Sequence, residues 1–154
     1  MKYIIKGGKK LAGEVKVSGN KNSILPCMAA ALLTDEEVIL ENVPNIFDVN
    51  VFLQILDSLG IKHQKSGQTL KIQAKKIRSN NLPDDLVIKL RASILLIGPI
   101  LARVGQVNFH YPGGDVIGRR SIQSHIDGFK KLGIKVSQKD LHFSLVVSQV
   151  SLIA

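Results

Sequence analysis

The strongest constraint on this chain is that it repeats itself. Ser23-Ile24-Leu25 returns as Ser93-Ile94-Leu95, Asp48-Val49 as Asp115-Val116, and Leu59-Gly60-Ile61-Lys62 as Leu132-Gly133-Ile134-Lys135. The matches keep their order and lie roughly 70 residues apart. One short match is chance; several in register mark a duplicated unit. The period is too long for a solenoid repeat and suits a copied supersecondary module. A chain of 154 residues then holds two copies around a sizeable core.

The two copies carry the same order of signals. In the first, Ile24, Leu25, Met28, Ala29 and Leu32 have helical spacing, with Asn22 or Ser23 to cap the helix. Glu37 to Glu41 is predicted as a strand. Phe52, Ile55, Leu56 and Leu59 predict a second helix that Gly60 stops. Ile61 to His63 and Thr69 to Gln73 predict a hairpin around Ser66-Gly67. In the second copy, Leu86 to Arg103 is predicted helical, kinked at Gly98-Pro99. Gln106 to Tyr111 alternates as a strand with Val107, Phe109 and Tyr111 on one face. Ile122, Ile126, Phe129 and Leu132 predict a helix ended by Gly133, and Ile134 to Ser137 with Leu141 to Val147 close the unit.

Upstream, Tyr3 to Ile5 and Glu14 to Val17 are predicted as strands. The fold class is therefore α/β, a duplicated β-α-β-α-β-β pattern. Residues 1–20 form amino-terminal strands, 21–80 the first unit and 81–154 the second, jointed at Ser79-Asn80-Asn81-Leu82-Pro83. Ser148 to Ala154 is largely apolar and uncapped, and is expected to begin a further element.

Charge narrows the partners. The net charge of +9 favours nucleotides, phosphorylated metabolites, nucleic acid or an anionic membrane. The longest apolar run, Ala92 to Ala102, is short of the roughly 20 residues a membrane span needs. No signal peptide is legible, and the single Cys27 forms no intramolecular disulfide, so a cytoplasmic location is expected. Cys27 lies in an apolar helix and is expected in the core. His63, His110, His125 and His142 lack metal-ligand spacing. A nucleic-acid-binding domain rests on charge alone: aromatic content is 5% and no binding motif is present.

The chemistry concentrates in Pro112-Gly113-Gly114-Asp115-Val116-Ile117-Gly118-Arg119-Arg120. Glycines let the backbone approach a ligand closely, and guanidinium forks suit phosphate and carboxylate oxygens. Asp115 reads either as a proton carrier or as a turn aspartate bonded to its own backbone. Lys21 and Asn22 precede a helix, where free N–H groups and the dipole favour an anion; the alternative is a solvated lysine and an ordinary cap. Arg91, set among apolar residues, must find an anion or a carboxylate. Arg120-Ser121-Ile122-Gln123-Ser124 leads into a helix that Ser121 can cap, leaving N–H groups for a diphosphate. Lys71, Lys75, Lys76 and Arg78 read as a solvated face.

Several segments together resemble the amino-terminal part of the UDP-N-acetylglucosamine 1-carboxyvinyltransferases, an enolpyruvyl transferase family. They include Gly13-Glu14-Val15, Ser18-Gly19-Asn20-Lys21-Asn22, Leu25-Pro26, Asn42-Val43-Pro44, Arg91-Ala92-Ser93, Pro112-Gly113-Gly114 and Ile117-Gly118. The Gly-Asn-Ala-Gly-Thr run usual in the sister 3-phosphoshikimate enzymes is absent. The resemblance implies repeated β-α-β-α-β-β units, three per domain, in two domains facing a cleft. Two units would be present here, with the third unit and the second domain missing, and the first strands would pack with that other domain.

The implied reaction transfers the enolpyruvyl group of phosphoenolpyruvate to the 3′-hydroxyl of UDP-N-acetylglucosamine. It is the first committed step of peptidoglycan synthesis, and it runs by addition and elimination without metal or organic cofactor. Partners would be those two small molecules and the missing half of the enzyme, with no nucleic acid and no membrane. By resemblance, Lys21 and Asn22 hold phosphoenolpyruvate. Arg91, Arg120, Ser121, Ile122, Gln123 and Ser124 hold the nucleotide sugar. Asp115 is the general acid where most members have the cysteine that fosfomycin attacks. Ser121 stands where proline is usual, Gln123 where aspartate is common, and Arg119 at a variable position.

A thiol near 8.5 is protonated at neutrality and a carboxyl near 3.9 is not. A carboxyl in that role therefore has to be raised, and a bound anion that neutralises Arg119 and Arg120 is expected to raise it. The alternative reading is a non-catalytic fragment with at most weak nucleotide-sugar binding.

Overall fold

Both copies of the repeat build one motif. The computed structural model describes residues 2–114 and 121–148. In the first copy, α1 (Lys21–Ala30) tightens into a 3₁₀ turn at Ala31–Leu33, followed by β1 (Glu37–Leu40), α2 (Phe47–Ser58), β2 (Lys62–Ser66) and β3 (Thr69–Gln73). In the second, α3 (Asp84–Val87), a 3₁₀ stretch at Arg91–Leu96 and α4 (Ile97–Val104) precede β4 (Gln106–His110), α5 (Gln123–Lys131), β5 (Ile134–Lys139) and β6 (His142–Val147). The sheets have equivalent orders, β1-β3-β2 and β4-β6-β5, with every ladder antiparallel. Register pairs Val38 with Ile72 and Phe109 with Phe143. Strand alternation then turns Leu70, Ile72, Val107, Phe109 and Leu145 inward. Phe109 and Phe143 stack with centroids 5.2 Å apart.

One apolar interior serves both copies. It takes Leu25, Met28, Leu32, Phe52 and Leu56 from the first and Leu90, Leu96, Ile97 and Ile100 from the second. α1 packs on the Arg91–Leu96 stretch and α4 on the Ala31–Leu33 turn. Arg103 joins the copies directly. Its guanidinium donates to the carbonyls of Leu32 (2.9 Å), Ala74 (3.0 Å) and Lys75 (3.5 Å). Leu32 lies in the last turn of a helical segment, where carbonyls lack intrahelical donors. Replacing Arg103 by Met keeps an apolar stem and removes the donors. Stability is expected to fall by about 2 kcal/mol, seen as a lower urea midpoint at unchanged slope; an unmoved midpoint would discount the contact.

A close crossing recurs in each copy, between the segment leading to the first helix and the segment leaving the first strand. A Cβ on Gly19 would lie 1.8 Å from the Asn42 carbonyl oxygen, and one on Gly113 would lie 1.6 Å from that of Ile88. Only a residue without a side chain fits such backbone contact. The second crossing is also bonded: Gly113 N–H donates to Val87 at 3.1 Å and Gly114 N–H to Ile88 at 3.0 Å.

Four expectations change. Tyr3 to Ile5 and Glu14 to Val17 are not strands: residues 2–20 carry no regular structure, and Tyr3, Ile4, Ile5, Val15 and Val17 are exposed. Their alternation is strand-like, but a strand also needs a ladder partner for its backbone groups, and the described ladders run only among β1 to β6. In the second copy the first strand shrinks to a parallel bridge between Asn81 and Asn108, cut off by Pro83, which caps α3. The observed motif is thus α-β-α-β-β.

The Leu86 to Arg103 helix breaks at Ile88–Leu90, not at Gly98-Pro99; Leu90 is extended, at φ −135° and ψ 107°. Pro99 sits in the first turn of α4, where a missing N–H costs nothing. Cys27 is exposed, because α1 buries the face bearing Ile24, Leu25, Met28 and Ala29 and Cys27 falls off it. Among the described residues, no helix is long and apolar enough to cross a membrane.

Candidate functional site

A cavity of about 720 Å³ opens where the two copies meet. Its wall takes Lys21 and Asn22 from the start of α1, Phe47 and Asp48 from the start of α2, and Lys89 and Arg91 from the broken helix. Tyr111 to Gly114 leaving β4, and His125 of α5, complete it. The glycine crossings draw these segments together.

At α1 the cap is Asn20, whose side-chain oxygen accepts the Asn22 N–H at 2.7 Å. That displaces Asn22 and Ser23 from the expected capping role and leaves Asn22 inside the first turn. Pro26, within the helix, withholds an N–H from the Asn22 carbonyl. Lys21 forms an ion pair with Asp48, which lies in the first turn of α2 where the helix dipole favours a carboxylate. Asp48 was not expected at a site. The one signal for it was the repeat, which makes it the counterpart of Asp115.

Arg91 meets its need for a partner differently from expectation. It donates to the carbonyls of Ser121 (2.8 Å) and Pro112 (3.5 Å), with its guanidinium carbon 5.9 Å from the centre of the Tyr111 ring. Among the described residues, its hydrogen-bond partners are backbone oxygens and not a carboxylate. The guanidinium thereby ties the exit from β4 to the approach to α5. Asp115, Arg119 and Arg120 lie outside the described residues.

Ser121 is not the N-cap of α5, a position held by Ile122; even so, the Ser121 hydroxyl accepts the Gln123 N–H at 3.0 Å. Ile122 is buried in the core. The Gln123 amide donates to Asp127 at 2.7 Å, and Ser124 is exposed. Lys21, Asn22 and Arg91 therefore share one cavity, whereas Ser121 to Ser124 stand at its shoulder and His125 enters its wall. His63 and His142 pair with Asp57 and Asp84, each at 2.8 Å, away from the cavity. Among the described lining residues, Lys21, Lys89 and Arg91 face one carboxylate, Asp48. A concave wall with that imbalance attracts anions.

Fold and cavity together define an enolpyruvyl-transferase-type domain. Residues 5–152 match the EPSP synthase (3-phosphoshikimate 1-carboxyvinyltransferase) family, and the chain belongs to it. Within that family it is 48% identical over 148 residues to the UDP-N-acetylglucosamine 1-carboxyvinyltransferase of Borreliella burgdorferi, covering 96% of this chain and 35% of that protein. It is 45% identical over 149 residues to the protein of that name from Treponema denticola, again covering 96% and 35%.

Among solved structures, the enolpyruvyl transferase NikO from Streptomyces tendae aligns at a TM-score of 0.79 and 24% identity, over 94% of this chain and 32% of that one. EPSP synthase from Acinetobacter baumannii aligns at 0.63 and 20% identity, over 95% and 36%. These two share the fold. The chain spans about a third of the length of the curated relatives it matches.

Proposed function

We propose that the chain serves transfer of the enolpyruvyl group from phosphoenolpyruvate to the 3′-hydroxyl of UDP-N-acetylglucosamine, in the cytoplasm, as a step of peptidoglycan synthesis. The carrying observation is the cation-rich cavity at the start of α1, in a chain 48% identical to a relative named for that reaction. Lys21 and Asn22, at the positive end of the α1 dipole, receive phosphoenolpyruvate. Arg91, Arg120 and the Ser121 to Ser124 segment receive the nucleotide sugar. Arg91 does so largely by framing the loop, and Ile122 through its main chain, since its side chain is buried.

The sugar oxygen bonds to C2 of phosphoenolpyruvate while Asp115 gives a proton to the C3 methylene, forming a tetrahedral intermediate. Loss of a proton from C3 and of phosphate from C2 restores the vinyl group on the sugar oxygen. The sugar hydroxyl proton is taken by a carboxylate of the second domain.

The test is phosphate release with both substrates. A full-length protein containing this chain is expected to release phosphate only when both are present, and failure to do so would refute the reaction. The 154-residue chain by itself is expected to release none, because half of the cleft belongs to the other domain. Turnover by this chain alone would refute that division of labour.

A further inference from the structure

Among the described residues the cavity is lined by Lys21, Lys89 and Arg91, and two of these three already have protein partners. Lys21 is paired with Asp48, and Arg91 gives two of its five N–H donors to the carbonyls of Pro112 and Ser121. The Lys89 ammonium has no hydrogen bond or ion pair among the described residues, yet Lys89 lines the same cavity. Its backbone is anchored on both sides. Before it, Val87 and Ile88 accept N–H groups from Gly113 and Gly114; after it, Leu90 is buried at 2% exposure. The Lys89 N–H itself donates to Leu86 at 3.1 Å. A flexible four-carbon stem on a fixed backbone can carry an ammonium across a cavity mouth to a ligand. No cap, motif or run of charge pointed to this residue.

We infer that Lys89 is a phosphate-binding residue of the cleft. Its ammonium takes a phosphate oxygen of the incoming anionic substrate, adding to the contacts proposed above for Lys21 and Arg91. The break at Ile88–Leu90 serves this role. A continuous helix through these residues would not cross Gly113 and Gly114, and it is that crossing which fixes Lys89 at the cavity wall. The identity of the phosphorylated ligand rests on the function proposed above; the phosphate chemistry does not.

The test is titration of the 154-residue chain, followed by NMR at constant ionic strength, with inorganic phosphate, phosphoenolpyruvate and UDP-N-acetylglucosamine in separate arms. Lys89→Met keeps the stem and removes the charge, and is expected to weaken at least one arm about tenfold. Lys89→Arg is expected to restore most of that loss. Lys76→Met removes the same charge from an exposed position outside the cavity and is expected to change nothing.

Equal weakening by Lys76→Met and Lys89→Met would reduce the effect to net charge and overturn the inference. Binding that Lys89→Met leaves intact in every arm, or no binding in any arm, would overturn it too. Phosphate or phosphoenolpyruvate binding that depends on Lys89, without any nucleotide-sugar binding, would sustain Lys89 and count against the proposed sugar substrate. The arm that weakens most identifies whose phosphate Lys89 holds.

Discussion

A full-length enzyme carrying Asp115 is expected to keep full turnover in fosfomycin at a concentration that abolishes activity of its Asp115→Cys variant. Epoxide opening needs a strong nucleophile, and a thiolate is far better than a carboxylate. Mass spectrometry should find an adduct on the variant and none on the parent. A covalent adduct on the Asp115 enzyme would overturn the prediction.

The same pair of proteins tests the proton-donor role. An acid that must be protonated loses activity as pH rises through its pKa. Unperturbed carboxyl and thiol groups differ by about 4.6 pH units. Even with the bound anion raising the carboxyl, the high-pH limb of the Asp115 enzyme is expected below that of the cysteine variant. Coincident limbs would mean that residue 115 is not the acid whose ionisation limits the rate.

Gly113→Ala is expected to destabilise the chain by about 3 kcal/mol, lowering the melting temperature by roughly 6–12 °C. The new methyl would stand 1.6 Å from the Ile88 carbonyl oxygen and 2.4 Å from its carbon. Both are backbone atoms, held by the hydrogen bonds from Gly113 and Gly114, so no rotamer change relieves the clash. Relief requires parting the two segments, which also moves Pro112 away from Arg91 and Lys89 away from the cavity wall.

Gly128→Ala is the matched control. Gly128 lies within α5, and a Cβ there meets nothing within 4 Å. Alanine at that position is expected to stabilise by about 0.5–1 kcal/mol through helix propensity. Thermal melts of the two variants should therefore shift in opposite directions. A Gly113→Ala melt that matches the parent would show that the crossing yields freely.

The hairpins and the second helix of each copy were legible in the sequence because their signals are local. Gly60 and Gly133 follow apolar helical runs and take φ of 74° and 80°, as helix-ending glycines do. Gly67 turns β2 into β3 at φ 56°. What escaped was set by distant partners. Glu14 to Val17 alternates like a strand, but alternation supplies no neighbour. Cys27 sits in a run apolar enough to hide which side faces water, and only the packing of α1 against the second copy decides it. At the site, the anion-favouring start of α1 was legible in Lys21 and Asn22. Its counter-ion Asp48 was not, since the pairing forms only once α1 and α2 lie side by side. Nor was the use Arg91 makes of carbonyls at Pro112 and Ser121, which are far from it in sequence.

The interior shared by the two copies makes each half depend on the other. The α1 helix packs on the Arg91–Leu96 stretch, α4 packs on the Ala31–Leu33 turn, and Arg103 answers carbonyls that belong to the other half. A repeat that leans on its twin in this way has lost its autonomy, so the joint near Pro83 divides the chain in ancestry but not in cooperativity. Heat or denaturant should meet a single unit, and a substitution in either copy is felt by both.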